Sequence, residues 1–138
     1  MISFQTINVE MPAINQQQVR EWVRRVADTY GRRVGEIAYV FVDDEEILRV
    51  NRQFLNHDYY TDIITFDDTE GLFIQGDLFI SLDTVRTNAE GLGVTYEEEL
   101  YRVIIHGILH LCGINDKGHG EREVMEAAEN AALAIRCQ

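Results

Sequence analysis

Lysine is almost missing from this chain: Lys117 is the only one among 12 basic residues, set against 24 acidic residues for a net charge of −12 over 138 residues. So negative a surface excludes a broad electrostatic grip on a nucleic-acid backbone, because phosphate contacts need Lys and Arg. Proline occurs once, and no repeat or low-complexity tract appears, which argues against a disordered or fibrous chain. Cysteine occurs twice, as Cys112 and Cys137. Two are too few for a disulfide framework, and in a reducing compartment they read as free, buried thiols. Long hydrophobic runs are missing too. The stretch Val103 to Ile114 is broken by two histidines and two glycines and is too short to span a bilayer. The first ten residues, MISFQTINVE, carry no basic region, long apolar run or small-residue cleavage site. No signal peptide is read, and the expected location is the cytoplasm.

What is present suits one core. Hydrophobic residues make up 46% of the chain, and no linker divides it, so a single domain over 1–138 is expected. Ile2 to Val9 alternates as a strand does. Val19, Trp22, Val23, Val26, Ala27 and Tyr30 recur at three- and four-residue steps, giving a helix from about Asn15 to Tyr30 with one buried stripe, ended by Gly31. Glu36 to Val42 reads as a second strand. Asp43 or Asp44 caps a helix carrying Ile47, Leu48, Val50, Asn51 and Phe54. Asp62 to Phe66 is a third strand, and Leu72 to Ser81 supplies one or two more, divided at Gly76. A short helix runs from about Asp83 to Glu90, closed by Gly91 and Gly93. Thr95-Tyr96-Glu97-Glu98 is a capping box opening a helix that runs to Cys112, with Gly113 as its left-handed end. A last helix covers Glu121 to Ile135. The order β-α-β-α-β-β-α-α-α predicts an α+β fold: a small mixed sheet of about four strands with about five helices, the chemistry on a central helix.

Three of the chain's four histidines fall in one segment, His106-Gly107-Ile108-Leu109-His110-Leu111-Cys112-Gly113-Ile114-Asn115-Asp116-Lys117-Gly118-His119. Residues four apart on a helix share a face, so His106 and His110 can share a metal. Gly113 then lets the chain turn back, bringing Asp116 or His119 toward the same point. Two or three histidines with a carboxylate suit Zn²⁺, and three protein ligands leave a position for water, whose pKa the metal lowers toward ~7. Gly107 sits mid-helix, where glycine costs about 0.5–1 kcal/mol against alanine, so something approaches closely there, whether a ligand or a packed neighbour. A zinc peptidase of the familiar kind places Glu directly after the first His as general base. This chain has Gly107 there, which disfavours amide hydrolysis.

The segment H-G-I-L-H-L-C-G closely resembles the H-G-x-L-H-L-x-G-x-D-H signature of the YbeY family, bacterial metal-dependent endoribonucleases linked to ribosomal RNA maturation. Thr61 to Phe66 (T-D-I-I-T-F) resembles the family's T-D-V-L-S-F strand, and Gly76 to Ser81 (G-D-L-F-I-S) its G-D-I-x-I-S strand. Asn51 and Phe54 match the N-x-x-Y element of the preceding helix. These elements occur in family order across essentially the whole chain. Two departures stand out. The family's third histidine ligand falls ten residues after the first, where this chain has Asp116; carboxylate is a competent zinc ligand, and His119 is the alternative if the turn is looser. The arginine after the N-x-x-Y element is Leu55 here, which removes a phosphate clamp, with His57 as a candidate substitute.

The resemblance implies a zinc-dependent, single-strand-specific endoribonuclease of small-subunit ribosomal RNA 3′-end processing and ribosome quality control, with one zinc on His106, His110 and Asp116. RNA is the implied substrate, and the ribosomal small subunit or its proteins are implied partners. Asp62 and Thr65 are candidates to line the cleft, while the general base is left open. Arg20, Arg24, Arg25, Arg32 and Arg33 are the candidate RNA contacts, against the plainer reading of a solvated face with a basic turn. The alternatives are a metal-dependent hydrolase of another bond, or a non-catalytic ribosome assembly factor with a structural zinc.

Overall fold

Apolar period decides where each element lies, and the computed structural model follows it closely. It describes residues 1–57 and 60–136; Cys137, read above as a buried thiol, lies outside them. The elements are β1 (Ile2–Ile7), α1 (Gln16–Thr29), β2 (Arg33–Val42), α2 (Asp44–Leu55), β3 (Ile63–Asp67), β4 (Phe73–Ser81), α3 (Leu82–Leu92), α4 (Tyr96–Leu111) and α5 (Glu121–Ala134). The strands form one mixed sheet in the order β1-β2-β4-β3. β1, β2 and β4 run parallel and β3 pairs antiparallel with β4 at the edge. This is the α+β architecture the sequence implies. Parallel neighbours need a crossover, and α1 supplies the one between β1 and β2.

Side chains alternate across the sheet. Ile37, Tyr39 and Phe41 of β2 enter the main core with Leu78 and Ile80 of β4 and the inner faces of α1 and α4. Val40 and Val42 turn the other way, into a smaller cluster with Ile47 and Val50 of α2 and Ile64 of β3. In α1 the expected stripe is buried at Val19, Trp22, Val23, Val26 and Ala27. Tyr30 leaves it and is 39% exposed, because it is the helix's last, non-helical cap residue. Trp22 Nε1 donates to the Ala132 carbonyl at 2.9 Å, tying α1 to α5.

Several boundaries differ from the sequence reading for identifiable reasons. β1 stops at Ile7 because Asn8 takes a left-handed conformation, φ 63°. β2 starts at Arg33 rather than Glu36, since Arg33 and Val34 already pair with Phe73 and Ile74. Gly76 does not divide β4: it sits within the strand at φ 150°, where a Cβ would fall 2.1 Å from the Phe66 carbonyl oxygen of β3. Ser81 caps α3 by accepting from Thr84 N at 3.2 Å, so the helix starts one residue early and Gly91 lies inside it.

The helix α4 crosses the sheet on the main-core face. Thr95 caps it, its hydroxyl accepting from Glu98 N at 3.1 Å. Tyr39 Oη donates to the Ile104 carbonyl at 2.9 Å, locking the middle of the helix to β2. At Gly107 the helix comes so close to the sheet that a Cβ would meet Ile63 at 3.0 Å and Leu78 at 3.1 Å. A packed neighbour therefore explains this glycine. The helix ends as expected: Ile114 N donates to Leu109 O at 3.1 Å and Gly113 N to His110 O at 3.0 Å, the paired bonds of a Schellman turn.

Candidate active site

A polar stripe runs along the otherwise apolar α4 at Glu99, Arg102, His106 and His110, spaced three and four apart. The opposite side of the helix is pinned to the sheet, so this stripe turns toward α5, the start of β3 and the turn after α4. Where these meet lies a cleft whose walls include Asp62, Glu99, Arg102, His106, Asp116 and Glu129.

His106 is bracketed by two carboxylates. Its Nδ1 lies 2.7 Å from Glu129 Oε2 and its Nε2 lies 3.3 Å from Asp116 Oδ2. The other oxygen of Glu129 accepts from Arg102 Nη1 at 2.9 Å, while Arg102 Nη2 donates to Asn130 Oδ1 at 2.8 Å. Burial alone would push the Glu129 carboxyl up, but the hydrogen bonds and charges of His106 and Arg102 outweigh it and hold the group below the usual carboxylate range. An ionised carboxylate only accepts, so the proton between Glu129 and His106 belongs to Nδ1. Burial likewise disfavours the imidazolium, yet the hydrogen bond and charge of Glu129, followed by the charges of Asp116 and Asp62, raise His106 above its ordinary value.

Two further carboxylates of the cleft, Asp62 and Glu99, are under strain of charge. Asp62 is raised by burial and by Glu129, despite the opposing charge of His106. Glu99, 6% exposed, is raised by burial and then by the charges of Asp62 and Glu129, with Arg102 opposing. The cleft's walls carry seven carboxylates, Asp62, Glu97, Glu98, Glu99, Asp116, Glu126 and Glu129, against three arginines and His106, a surplus of negative charge that favours a bound cation.

Of the residues singled out from sequence, the structure brings His106, Asp116 and Asp62 together. His110 is half-buried one turn further along α4 and is not among the cleft's walls. Among the described residues no three His, Cys, Asp or Glu side chains converge as a metal-holding group. His119 is exposed in the turn before α5. Thr65 is half-buried on β3 opposite Leu78. His57 is exposed beyond α2, its backbone N donating to Asn51 O at 3.1 Å. Leu55 is exposed at the end of α2. The N-terminal arginines lie apart from the cleft walls: Arg20 donates to the Ile2 carbonyl and sits over the Phe4 ring, Arg32 donates to the Gly71 carbonyl, and Arg24, Arg25 and Arg33 are exposed. The arginines that do line the cleft are Arg102, Arg122 and Arg136.

Glu129, Glu99 and Arg102 were not singled out from sequence, though a signal exists. Glu129 interrupts the buried face of α5 between Met125 and Ala132, and a carboxylate on an apolar stripe requires a partner.

The frame and site together define an α+β protein whose sheet-crossing helix presents a histidine to a carboxylate-rich cleft. Residues 2–135 match the family model described as Endoribonuclease YbeY. A Phocaeicola vulgatus protein named Endoribonuclease YbeY is 67% identical over 135 residues, covering 98% of each chain. One of the same name from Bacteroides thetaiotaomicron is 65% identical over 135 residues, also 98% of each. Among solved structures, the solution structure of TM1509 from Thermotoga maritima matches with a TM-score of 0.65 and 25% identity, over 97% of this chain and 90% of that one. The chain belongs to the endoribonuclease YbeY family.

Proposed function

We propose that this protein is a zinc-dependent endoribonuclease, one domain over 1–138, that cleaves single-stranded RNA in the cytoplasm during maturation of the small-subunit ribosomal RNA 3′ end. The RNA-cleaving activity rests on family membership and on relatives named as endoribonucleases. No described helix is long and apolar enough to cross a membrane. In this reading His106, His110 and Asp116 hold the zinc.

The observation that carries the metal reading is the 3.3 Å separation of His106 Nε2 and Asp116 Oδ2. Two ligands at about 2.0–2.1 Å from a tetrahedral zinc stand about 3.3–3.4 Å apart, so the pair has the spacing of two corners of a zinc site. The same distance supports Asp116 over His119 in the place of the family's third histidine. His110, half-buried one turn further along α4 and outside the cleft's walls, would have to turn toward this pair to complete the set. A divalent metal there would supply Lewis-acid polarisation of a phosphoryl oxygen and activation of water near neutral pH. The protein's own groups do the rest. Asp62 borders the reacting space, and the cleft arginines Arg102, Arg122 and Arg136 offset phosphate charge locally against an acidic whole. The ribosomal small subunit is the proposed partner, and delivery of RNA from that surface lessens the need for a basic groove.

Incubation of the purified protein with single-stranded and duplex RNA tests this. Cleavage of the single-stranded substrate, abolished by a chelator, restored by zinc and absent from His106→Ala, is the expected result. Cleavage unaffected by chelation, or retained in His106→Ala, refutes the metal mechanism.

A further inference from the structure

The buried carboxylate of α5 stands behind the histidine, on the side away from Asp116. We propose that Glu129 is a positioning residue for the metal site: it fixes His106 as the Nδ1–H tautomer with Nε2 bare and aimed into the cleft, and Arg102 holds Glu129 in place for that task. The inference rests on the metal reading above, and adds a residue that no motif of the sequence marks.

The geometry is specific. Both oxygens of Glu129 are engaged, Oε2 by His106 Nδ1 at 2.7 Å and Oε1 by Arg102 Nη1 at 2.9 Å. Arg102 and His106 are four apart on α4, so one carboxylate from α5 bridges successive turns of the helix. Arg102 is itself fixed by Asn130, the residue after Glu129, through a 2.8 Å bond. Glu129 is only 8% exposed, which shields this arrangement from water. With Nδ1 committed, Nε2 is the one ring nitrogen left with a lone pair, and it is the atom that faces Asp116 Oδ2. A histidine ligand that donates its other N–H to a carboxylate is oriented and made more basic by it, and loss of such a partner costs about 10–100-fold in metal affinity.

The alternative is that Glu129 only ties α5 to α4. The two roles separate experimentally. Zinc affinity is measured by chelator competition on the purified full chain for wild type, Glu129→Gln and Glu129→Leu, with thermal melts of the metal-free forms to verify folding. The His106 tautomer is read from ¹⁵N shifts of the metal-free proteins above the imidazole titration. Wild type is expected to show Nδ1–H. Glu129→Leu is expected to shift toward Nε2–H and to bind zinc about 10–100-fold more weakly. Glu129→Gln, which keeps a carbonyl acceptor, is expected to retain the tautomer and lose less affinity. Folded variants with wild-type affinity, or a wild-type His106 not in the Nδ1–H form, overturn the proposal. If wild type binds no zinc at all, the metal reading fails with it, whereas unchanged affinity in the variants of a zinc-binding wild type sinks the positioning role alone.

Discussion

Asp44 and Glu129 are both carboxylates turned inward at the margin of the core, and their surroundings differ in kind. Asp44 opens α2 and accepts from Ser81 Oγ at 2.7 Å and from Thr84 Oγ1, while its own backbone N donates to Asp83 Oδ2 at 3.0 Å. Ser81 also caps α3. That network sets the carboxylates of Asp44 and Asp83 against hydroxyl and backbone donors at the joint of α2, β4 and α3, with no side-chain cation among its bonds. Glu129 instead shares its neighbourhood with Asp62, Glu99 and Asp116, against Arg102 and His106. Its own pairs are good, but burial and mutual repulsion raise Glu99 and Asp62. The first network joins elements. The second keeps charge that the fold alone does not neutralise, at a cost in stability that a bound cation would relieve.

Substitutions that remove one partner from each network sharpen this contrast. Arg102→Met leaves Glu129 buried with His106 alone. Removing a partner from a buried ion pair costs ~3–5 kcal/mol, and the partial exposure of Arg102 lowers the expectation to about 2–3 kcal/mol in the metal-free protein, measured by urea unfolding at neutral pH. Ser81→Ala removes a helix cap and one donor to Asp44, for an expected loss of about 1–2 kcal/mol by the same method, unaffected by zinc. Equal and zinc-independent losses in both variants would erase the distinction.

Glu99→Gln should act in the opposite direction and by the least. Burial and the charges of Asp62 and Glu129 raise the Glu99 carboxyl above its ordinary 4.5. A raised carboxyl contributes most stability while protonated, below about pH 4.5, and that contribution is lost as pH rises through the folded-state value. At neutral pH the metal-free wild type therefore carries a penalty that the glutamine variant lacks. The variant should melt slightly higher at neutral pH, and the gap should close as the pH falls below the ordinary carboxylate range. A lower melting temperature at neutral pH would show that Glu99 has a stabilising partner after all.

Much of this frame was legible in the residues. Apolar period placed β1 and α1, β-branched and aromatic content placed β2, which buries both faces, and the Thr95 capping box placed the start of α4. Gly113 announced the end of α4 because only a left-handed residue closes that turn, and Asp116 emerged at the first histidine because the turn is short. The rest was hidden for physical reasons. Gly76 looked like a strand break, yet its lack of a Cβ serves the approach of the Phe66 carbonyl from β3, a partner no local pattern announces. Arg20, Arg24, Arg25, Arg32 and Arg33 stand out because they cluster in sequence, as RNA contacts or as a solvated face with a basic turn, whereas Arg102, Arg122 and Arg136, scattered along the chain, are gathered at the cleft by the packing of α4 against α5. Glu129 was missed because its importance lies in a contact spanning 23 residues.

The measurement that bears most directly on the account is the metal content of the purified protein by elemental analysis, for wild type and for His106→Ala, His110→Ala, Asp116→Ala and His119→Ala. The account predicts about one zinc per chain in wild type, lost in the first three variants and kept in His119→Ala. A wild type without metal that gains neither thermal stability nor RNA cleavage when zinc is added, or zinc lost in His119→Ala and kept in Asp116→Ala, would contradict it.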